Sequence, residues 1–163
     1  MKPEEQLHSL RQMTSRNLVE WLFRGSAGLS AVCLIAGIQT SWPPYYMLAA
    51  FLALIALNAY QTAPNICRAV RAIDSTNRTT ACITIEVESW TDSQSFHAIV
   101  PASSWRTWKF EFIPQGWNPT VGTVEVELRF IPEVEWPALL ITKEGIIHPR
   151  YKPKLQRTSQ HHE

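Results

Sequence analysis

The chain has 163 residues and a formal net charge of +1 at pH 7, and 18% of its residues are charged. That near-neutral total hides an uneven distribution, because residues 1–78 carry +3, residues 79–149 carry −5 and residues 150–163 carry +3. An acidic central region argues against a nucleic-acid-binding protein, whose surface must neutralise phosphates. The length leaves room for one small soluble domain.

Residues 1–17 are predicted to form an amphipathic helix. Leu7, Leu10 and Thr14 recur at steps of three and four residues with polar residues between them, which is the spacing of one helix face. Such a helix would lie on a membrane surface or continue into the next segment. A solvated helical lead-in is the alternative. The stretch lacks the compact apolar run of a secretory signal.

The 43 residues from Gly25 to Cys67 contain no Asp, Glu, Lys or Arg. A bilayer core of about 30 Å needs about 20 mostly apolar residues per helix. The run therefore predicts a two-helix transmembrane hairpin over residues 18–66, with spans at about 18–38 and 45–63 joined by a short polar turn. The chain is accordingly expected to be an integral membrane protein.

Small side chains recur along both predicted spans at helical spacing. Such residues let helix backbones approach closely, which drives helix association in lipid. They predict packing of the two helices on each other, with dimerisation of the chain as the alternative. Asn58, the strongly polar residue of the second span, is expected to hydrogen-bond across to the first span. The predicted packing residues are Ala27, Gly28, Ala31, Ala49, Ala53 and Ala56.

Basic residues flank both predicted spans, and the turn between the spans has none. By the positive-inside rule, both termini are expected on the cytoplasmic side, or on the stromal side of an organelle membrane. The basic tail, residues 150–163, is expected to lie on lipid headgroups or on an acidic partner surface, with a disordered solvated tail as the alternative. The residues predicted to face the lipid surface are Arg24, Arg68, Arg71, Arg150, Lys152 and Lys154.

Residues 79–149 are predicted to form a small antiparallel β domain. Apolar residues such as Val124, Val126 and Leu128 alternate with polar ones, which is the pattern of half-buried strands. The five or six short strands expected here suit a small barrel or a two-sheet sandwich. A domain of this size is marginal alone and would lean on the membrane, the N-terminal helix or a partner. The predicted fold class is therefore membrane α + β.

The predicted loops and strand ends of the β domain are rich in tryptophan. Aromatic side chains dominate interface energetics, so these residues are predicted anchors for a protein partner. Plugging the ends of a small barrel is the alternative role. Trp108 lies on the apolar face of a strand and is assigned to the core. The predicted partner-binding residues are Trp90, Trp105, Trp117, Trp136, Glu125 and Glu127.

No cofactor, metal site or catalytic site is predicted. The cysteines Cys33, Cys67 and Cys82 have neither redox nor metal-ligand spacing. His97 lies on a predicted strand near acidic residues, and neither a nucleophile nor an oxyanion hole accompanies it at recognisable spacing. The chain is therefore not expected to be an enzyme.

The order of a short N-terminal helix, a two-helix hairpin and a small β-rich domain is similar in layout to small assembly factors of photosystem I, although no motif residue carries the resemblance. The layout implies an accessory protein. We expect a non-catalytic two-pass membrane protein whose cytoplasmic or stromal β domain docks on, or helps assemble, a larger photosynthetic or respiratory complex. The alternatives are a homo-oligomeric channel or transport element, and a membrane enzyme with an unrecognised site.

Overall fold

The computed structural model describes residues 3–15, 18–90 and 93–157. The chain divides into two compact units. One unit is Gln12–Pro64, which contains most of two long helices; the other combines Met1–Arg11 with Asn65–Glu163 and contains the β-sheet. We refer to them as the hairpin unit and the β unit.

The described residues contain three helices: α1 (Pro3–Ser15), α2 (Leu18–Thr40) and α3 (Pro43–Ile73). Both α2 and α3 are long and apolar enough to cross a membrane, at the positions where the sequence predicts spans. Ser41 takes a positive φ of 55° between them, which ends α2, and Pro43 at the start of α3 supplies a φ already suited to a helix.

Helix α3 continues ten residues beyond the predicted end of the second span at residue 63. It passes through Pro64 and ends at Ile73. The charged residues after 63 end the apolar run, but the helix persists because Ala69 and Ala72, both fully buried, pack into the core of the β unit. Tertiary packing therefore extends a helix that local sequence would stop.

The buried face of the hairpin unit differs in part from the predicted packing residues. Ala49 and Ala56 are buried, as predicted, and Ala27 is half-buried. By contrast, Gly28 and Ala31 are exposed, because a rotation of about 100° per residue places them off the face of α2 that contains Cys33 and Gly37. Ala53 on α3 is exposed as well. The two helices in contact thus use a neighbouring stripe.

Two contacts define this stripe. The Ser30 hydroxyl donates to the Ala49 carbonyl oxygen at 2.8 Å, so the cross-helix hydrogen bond comes from Ser30, while Asn58, predicted to supply it, is exposed. A Cβ placed on Gly37 would lie 3.2 Å from the Tyr46 ring, whereas one on Gly28 would meet nothing within 4 Å. Gly37 is therefore the glycine at the closest approach of the two helices.

Seven antiparallel strands form a single sheet in the described part of the β unit, in the order β6-β5-β4-β1-β2-β3-β7. The sheet curls into a half-barrel. The antiparallel β domain predicted from the sequence is therefore present, as a curled single sheet. The strands are β1 (Arg78–Trp90), β2 (Ser93–Ser103), β3 (Arg106–Phe112), β4 (Gly122–Arg129), β5 (Leu139–Ile141), β6 (Ile146–Ile147) and β7 (Lys154–Arg157).

The curl originates in the 13-residue strand β1. Its first half pairs with β4, from Arg78 opposite Arg129 to Ile85 opposite Gly122, and its second half pairs with β2. The sheet is open, because its outermost strands β6 and β7 do not pair with each other. Both of these strands are short. Strand β7 lies in the tail predicted to rest on lipid or a partner, or to be disordered, and pairs with β3.

Each face of the sheet has its own core. The inner face of the half-barrel buries one cluster that includes Ile83, Phe112 and Leu128. The other cluster joins β5 and β6 to the end of α3 and to α1, whose Leu10 is 1% exposed. Helix α1 supports the sheet because its apolar face covers strands that would otherwise be exposed. Of the supports that the sequence allowed for the β domain, this is the N-terminal helix.

Candidate functional site

The tryptophans predicted as partner anchors occupy different environments. Trp105, in the turn between β2 and β3, is 49% exposed, and the Arg106 guanidinium lies 3.9 Å from its ring centroid. Trp117 packs against the inner core and stacks on Phe112 with centroids 6.4 Å apart. The side chain of Trp90 lies outside the described residues. Trp105 is thus the predicted anchor with the most accessible ring among those described.

Trp117 is held where the β5–β6 turn closes over it. A Cβ on Gly145 would lie 2.5 Å from the indole ring, so only glycine fits there. The indole Nε1 is buried and makes no hydrogen bond within the described residues. Beside it, Glu125 is exposed and borders a cavity of 230 Å³. Trp117 therefore resembles the end plug that the sequence left as the alternative role.

Glu127, predicted to bind a partner, is engaged within the β unit. Its carboxylate accepts from the Arg129 Nε at 2.8 Å and lies 3.7 Å from Arg78. Arg129, largely buried, also donates to the carbonyl oxygen of Ile73 at the end of α3. The arrangement ties the helix end to strand β4, since a cation beside the last carbonyls satisfies orphan acceptors there.

Most acidic side chains on the outer face of the sheet are paired in the same way. Lys109 on β3 donates to Glu86 at 3.0 Å and to Glu88 at 3.3 Å. The hydrogen bond that Lys109 donates to Glu86 is the main reason that the pKa of Lys109 is raised. Arg150 donates to Glu111 at 2.8 Å. The negative charge of Glu86, Glu88 and Glu111 along β1 and β3 is therefore compensated within the β unit.

Trp136 stands at the centre of a cation–aromatic cluster. Its ring centroid lies 5.7 Å from the Arg68 guanidinium carbon and 5.9 Å from the Lys152 ammonium nitrogen. A second aromatic ring, Trp108, meets it edge-on at 5.8 Å. Cations placed over an aromatic face are attracted by its negative potential. Three segments distant in sequence thus converge on one ring.

Asn65 connects this cluster to the tail. Its side chain is 4% exposed, accepts from the Arg68 guanidinium at 2.9 Å and donates to the Arg150 carbonyl oxygen at 3.4 Å. Arg68, Arg150 and Lys152, predicted from the sequence to face the lipid surface, therefore lie together. Lys154 follows on β7 and lines a cavity of 220 Å³ with Lys152.

The other residues predicted to face the lipid surface lie elsewhere in the structure. Arg71 pairs with Glu133 at 3.3 Å, and Arg24 pairs with Glu20 at 2.7 Å within α2. Neither joins the cluster around Trp136. Sequence reasoning missed Trp136 as a centre for cations, because nothing in the local pattern pairs residue 68 with residue 152. The short alternation in β7 was likewise too brief to predict a strand.

No group of three or more His, Cys, Asp or Glu side chains able to hold a metal ion occurs in residues 3–15, 18–90 and 93–157. Cys33 is buried, and Cys67 and Cys82 are exposed, all three as free thiols. Comparison of the chain with protein-family models, with curated proteins and with solved structures finds no match in any of the three.

Proposed function

We propose that the chain is a two-pass membrane protein whose β unit docks on, or helps assemble, a larger membrane complex. One observation carries the first part. Of 19 exposed large hydrophobic side chains among the described residues, 15 lie between Trp21 and Tyr60 on or between α2 and α3. A continuous apolar surface of this extent needs lipid or protein to cover it. The length of both helices suits a bilayer core.

The remaining exposed hydrophobic residues support docking by the β unit. Four large apolar side chains of that unit are exposed: Trp105, Ile113, Val121 and Leu155. Trp105 is the best candidate anchor because large aromatic rings dominate binding energy at interfaces. Since the outer-face carboxylates on β1 and β3 are already paired, we place recognition on these apolar side chains.

Membrane insertion and orientation can be tested with the native thiols. Cys67 and Cys82 are exposed on the β unit, so an impermeant maleimide should label both from the side that holds the termini. A single cysteine introduced at Thr40 in the turn should label from the opposite side. Extraction of the chain by alkaline carbonate, or labelling of Thr40→Cys from the same side as Cys67, would reject the two-pass topology.

Docking can be tested by extracting native membranes with mild detergent, separating complexes by size and identifying co-migrating proteins by mass spectrometry. We expect wild type to travel with a large complex. Trp105→Ala should weaken retention by about tenfold or more, in line with a hot spot of at least about 1.4 kcal/mol. Trp105→Phe, which keeps an aromatic surface, is the matched control. Migration of wild type alone would reject the docking proposal.

A second candidate function is a homo-oligomer of hairpins, as in a channel or transport element. The observation that favours it is the outward position of Gly28, Ala31 and Ala53. Small residues left outside the α2–α3 contact permit close approach of a second copy in lipid. Migration of wild type as a discrete ring of itself in the same size separation would select this candidate.

A further inference from the structure

We propose that the cationic edge, defined as Arg68 and Lys152 at the Trp136 ring together with Lys154 and Arg157 on β7, binds the phosphate groups of anionic phospholipids. The site rests on the proposed membrane insertion of α3 and adds a ligand to it. The lipid would belong to the leaflet in which the second span ends.

Some of the described basic side chains have a carboxylate partner and others do not. Of 13 described Lys and Arg side chains, seven pair with a carboxylate. Within the described residues, the six without a carboxylate partner are Arg68, Arg106, Lys143, Lys152, Lys154 and Arg157. Positive charge that no carboxylate compensates is available to attract an external anion.

Most of the cations without a carboxylate partner belong to one region of the β unit. Strand β7 pairs with β3 in a register that sets Arg157 opposite Arg106 and Lys154 opposite Lys109. Lys152 lies over the Trp136 ring shared with Arg68. Five of the six unpaired cations therefore belong to one edge of the sheet and the adjoining turn of α3. The exception, Lys143, lies in the β5–β6 turn.

Arg68, one member of the cationic edge, follows shortly after the apolar run of α3. Arg68 is five residues past Ala63, where the predicted span ends, and both lie in α3. A helix rises 1.5 Å per residue, so five positions amount to about 7.5 Å. That interval matches the headgroup region flanking a hydrocarbon core about 30 Å thick. Exposed Leu155 and Lys154 on β7 add the mixed apolar and cationic character of an interfacial surface.

The test uses the full chain in nanodiscs of phosphatidylcholine mixed with phosphatidylglycerol. Native mass spectrometry of protein released from the discs reports which lipids stay bound. We expect wild type to retain phosphatidylglycerol preferentially. The variant Lys152→Gln/Lys154→Gln/Arg157→Gln should lose that preference by about fivefold per removed charge, as expected for a cation near an anionic membrane surface.

Lys143→Gln is the matched control, because it removes an unpaired cation from elsewhere in the β unit and should leave the preference unchanged. Lys152→Arg/Lys154→Arg keeps the charge and should retain it. Equal retention of both lipids by inserted wild type would overturn the inference and assign the edge to an acidic protein surface. Failure of the chain to enter nanodiscs would instead reject the proposed function itself.

Discussion

At the scale of single residues, the β unit depends on one buried amide far from the sheet in sequence. Gln6 on α1 is fully buried, and its Oε1 accepts from the Ile146 N–H at 2.8 Å. Ile146 belongs to the edge strand β6, so this bond satisfies a backbone donor that the sheet leaves free.

We predict that Gln6→Ala lowers the free energy of unfolding by about 1–3 kcal/mol, because the Ile146 donor would be buried without a partner. Glu4→Gln on the exposed side of the same helix should change it by less than about 0.5 kcal/mol. Thermal unfolding of the full chain in detergent, followed by tryptophan fluorescence, measures both. Equal effects from the two substitutions would show that the hydrogen bond is unimportant.

His148 is expected to make the stability of the β unit depend on pH. Burial lowers its pKa from the ordinary 6.5, an effect that the adjacent Pro149 backbone opposes more weakly. Neither ring nitrogen has hydrogen-bond geometry to a described residue. Because the unfolded chain takes up a proton near pH 6.5 and the folded chain resists it, stability is fully present above that pH and decreases as the pH falls below it.

We therefore predict that wild type loses stability between about pH 7 and pH 5, with a contribution from His148 of up to about 1.4 kcal/mol per pH unit. His148→Phe keeps a ring of similar size and should give a shallower dependence over that window. The comparison requires unfolding curves of both proteins in the same detergent at several pH values. Parallel curves would exclude His148 as the source.

The burial of Gln6 and of His148 could not be predicted from the sequence. Gln6 belongs to a polar helix pattern in which Gln12 looks equivalent, and only the fold distinguishes the buried position from the exposed one. His148 follows a short apolar run that could end in a loop as readily as in a core. Burial by segments far away in sequence is the deciding factor for both residues, and local patterns do not contain it.

At the scale of elements, the sequence predicted where helices and long strands lie along the chain. It did not predict which elements pack or pair with one another. The uncharged run gave the positions of α2 and α3, and alternation gave the long strands of the sheet. Whether strands close into a barrel depends on pairing between distant segments, which alternation does not specify. The stripe on α2 was missed because small residues occur on several faces, and only contact with α3 selects Cys33 and Gly37.

This contact leads to a prediction for the hairpin unit. Gly37→Val should destabilise the α2–α3 contact by about 1–3 kcal/mol, because its side chain would crowd the Tyr46 ring 3.2 Å from the new Cβ. Gly28→Val makes the same chemical change where nothing lies within 4 Å. Titration with sodium dodecyl sulfate, followed by circular dichroism, compares them. A larger loss for Gly28→Val would place the close approach elsewhere.

At the scale of the whole molecule, the two edges of the sheet are protected in different ways from pairing with another chain. Helix α1 covers β6, and the exposed strand β7 carries Lys154 and Arg157 at its ends. Exposed cations on an edge strand discourage pairing with another chain. The cationic edge therefore suits a surface that attracts headgroups while avoiding strand-to-strand association.

The bond between Gln6 and Ile146 spans 140 positions of the chain. At about 5–20 residues per second, a ribosome would add those residues over roughly 7 to 30 s. During that interval Leu10 has no sheet to cover, while the uncharged segment that follows it has already emerged. Helix α1 cannot pack on the sheet until strands β5 and β6 have been synthesised. Helix α1 precedes the other described elements in the chain and is consequently among the last of them to be buried.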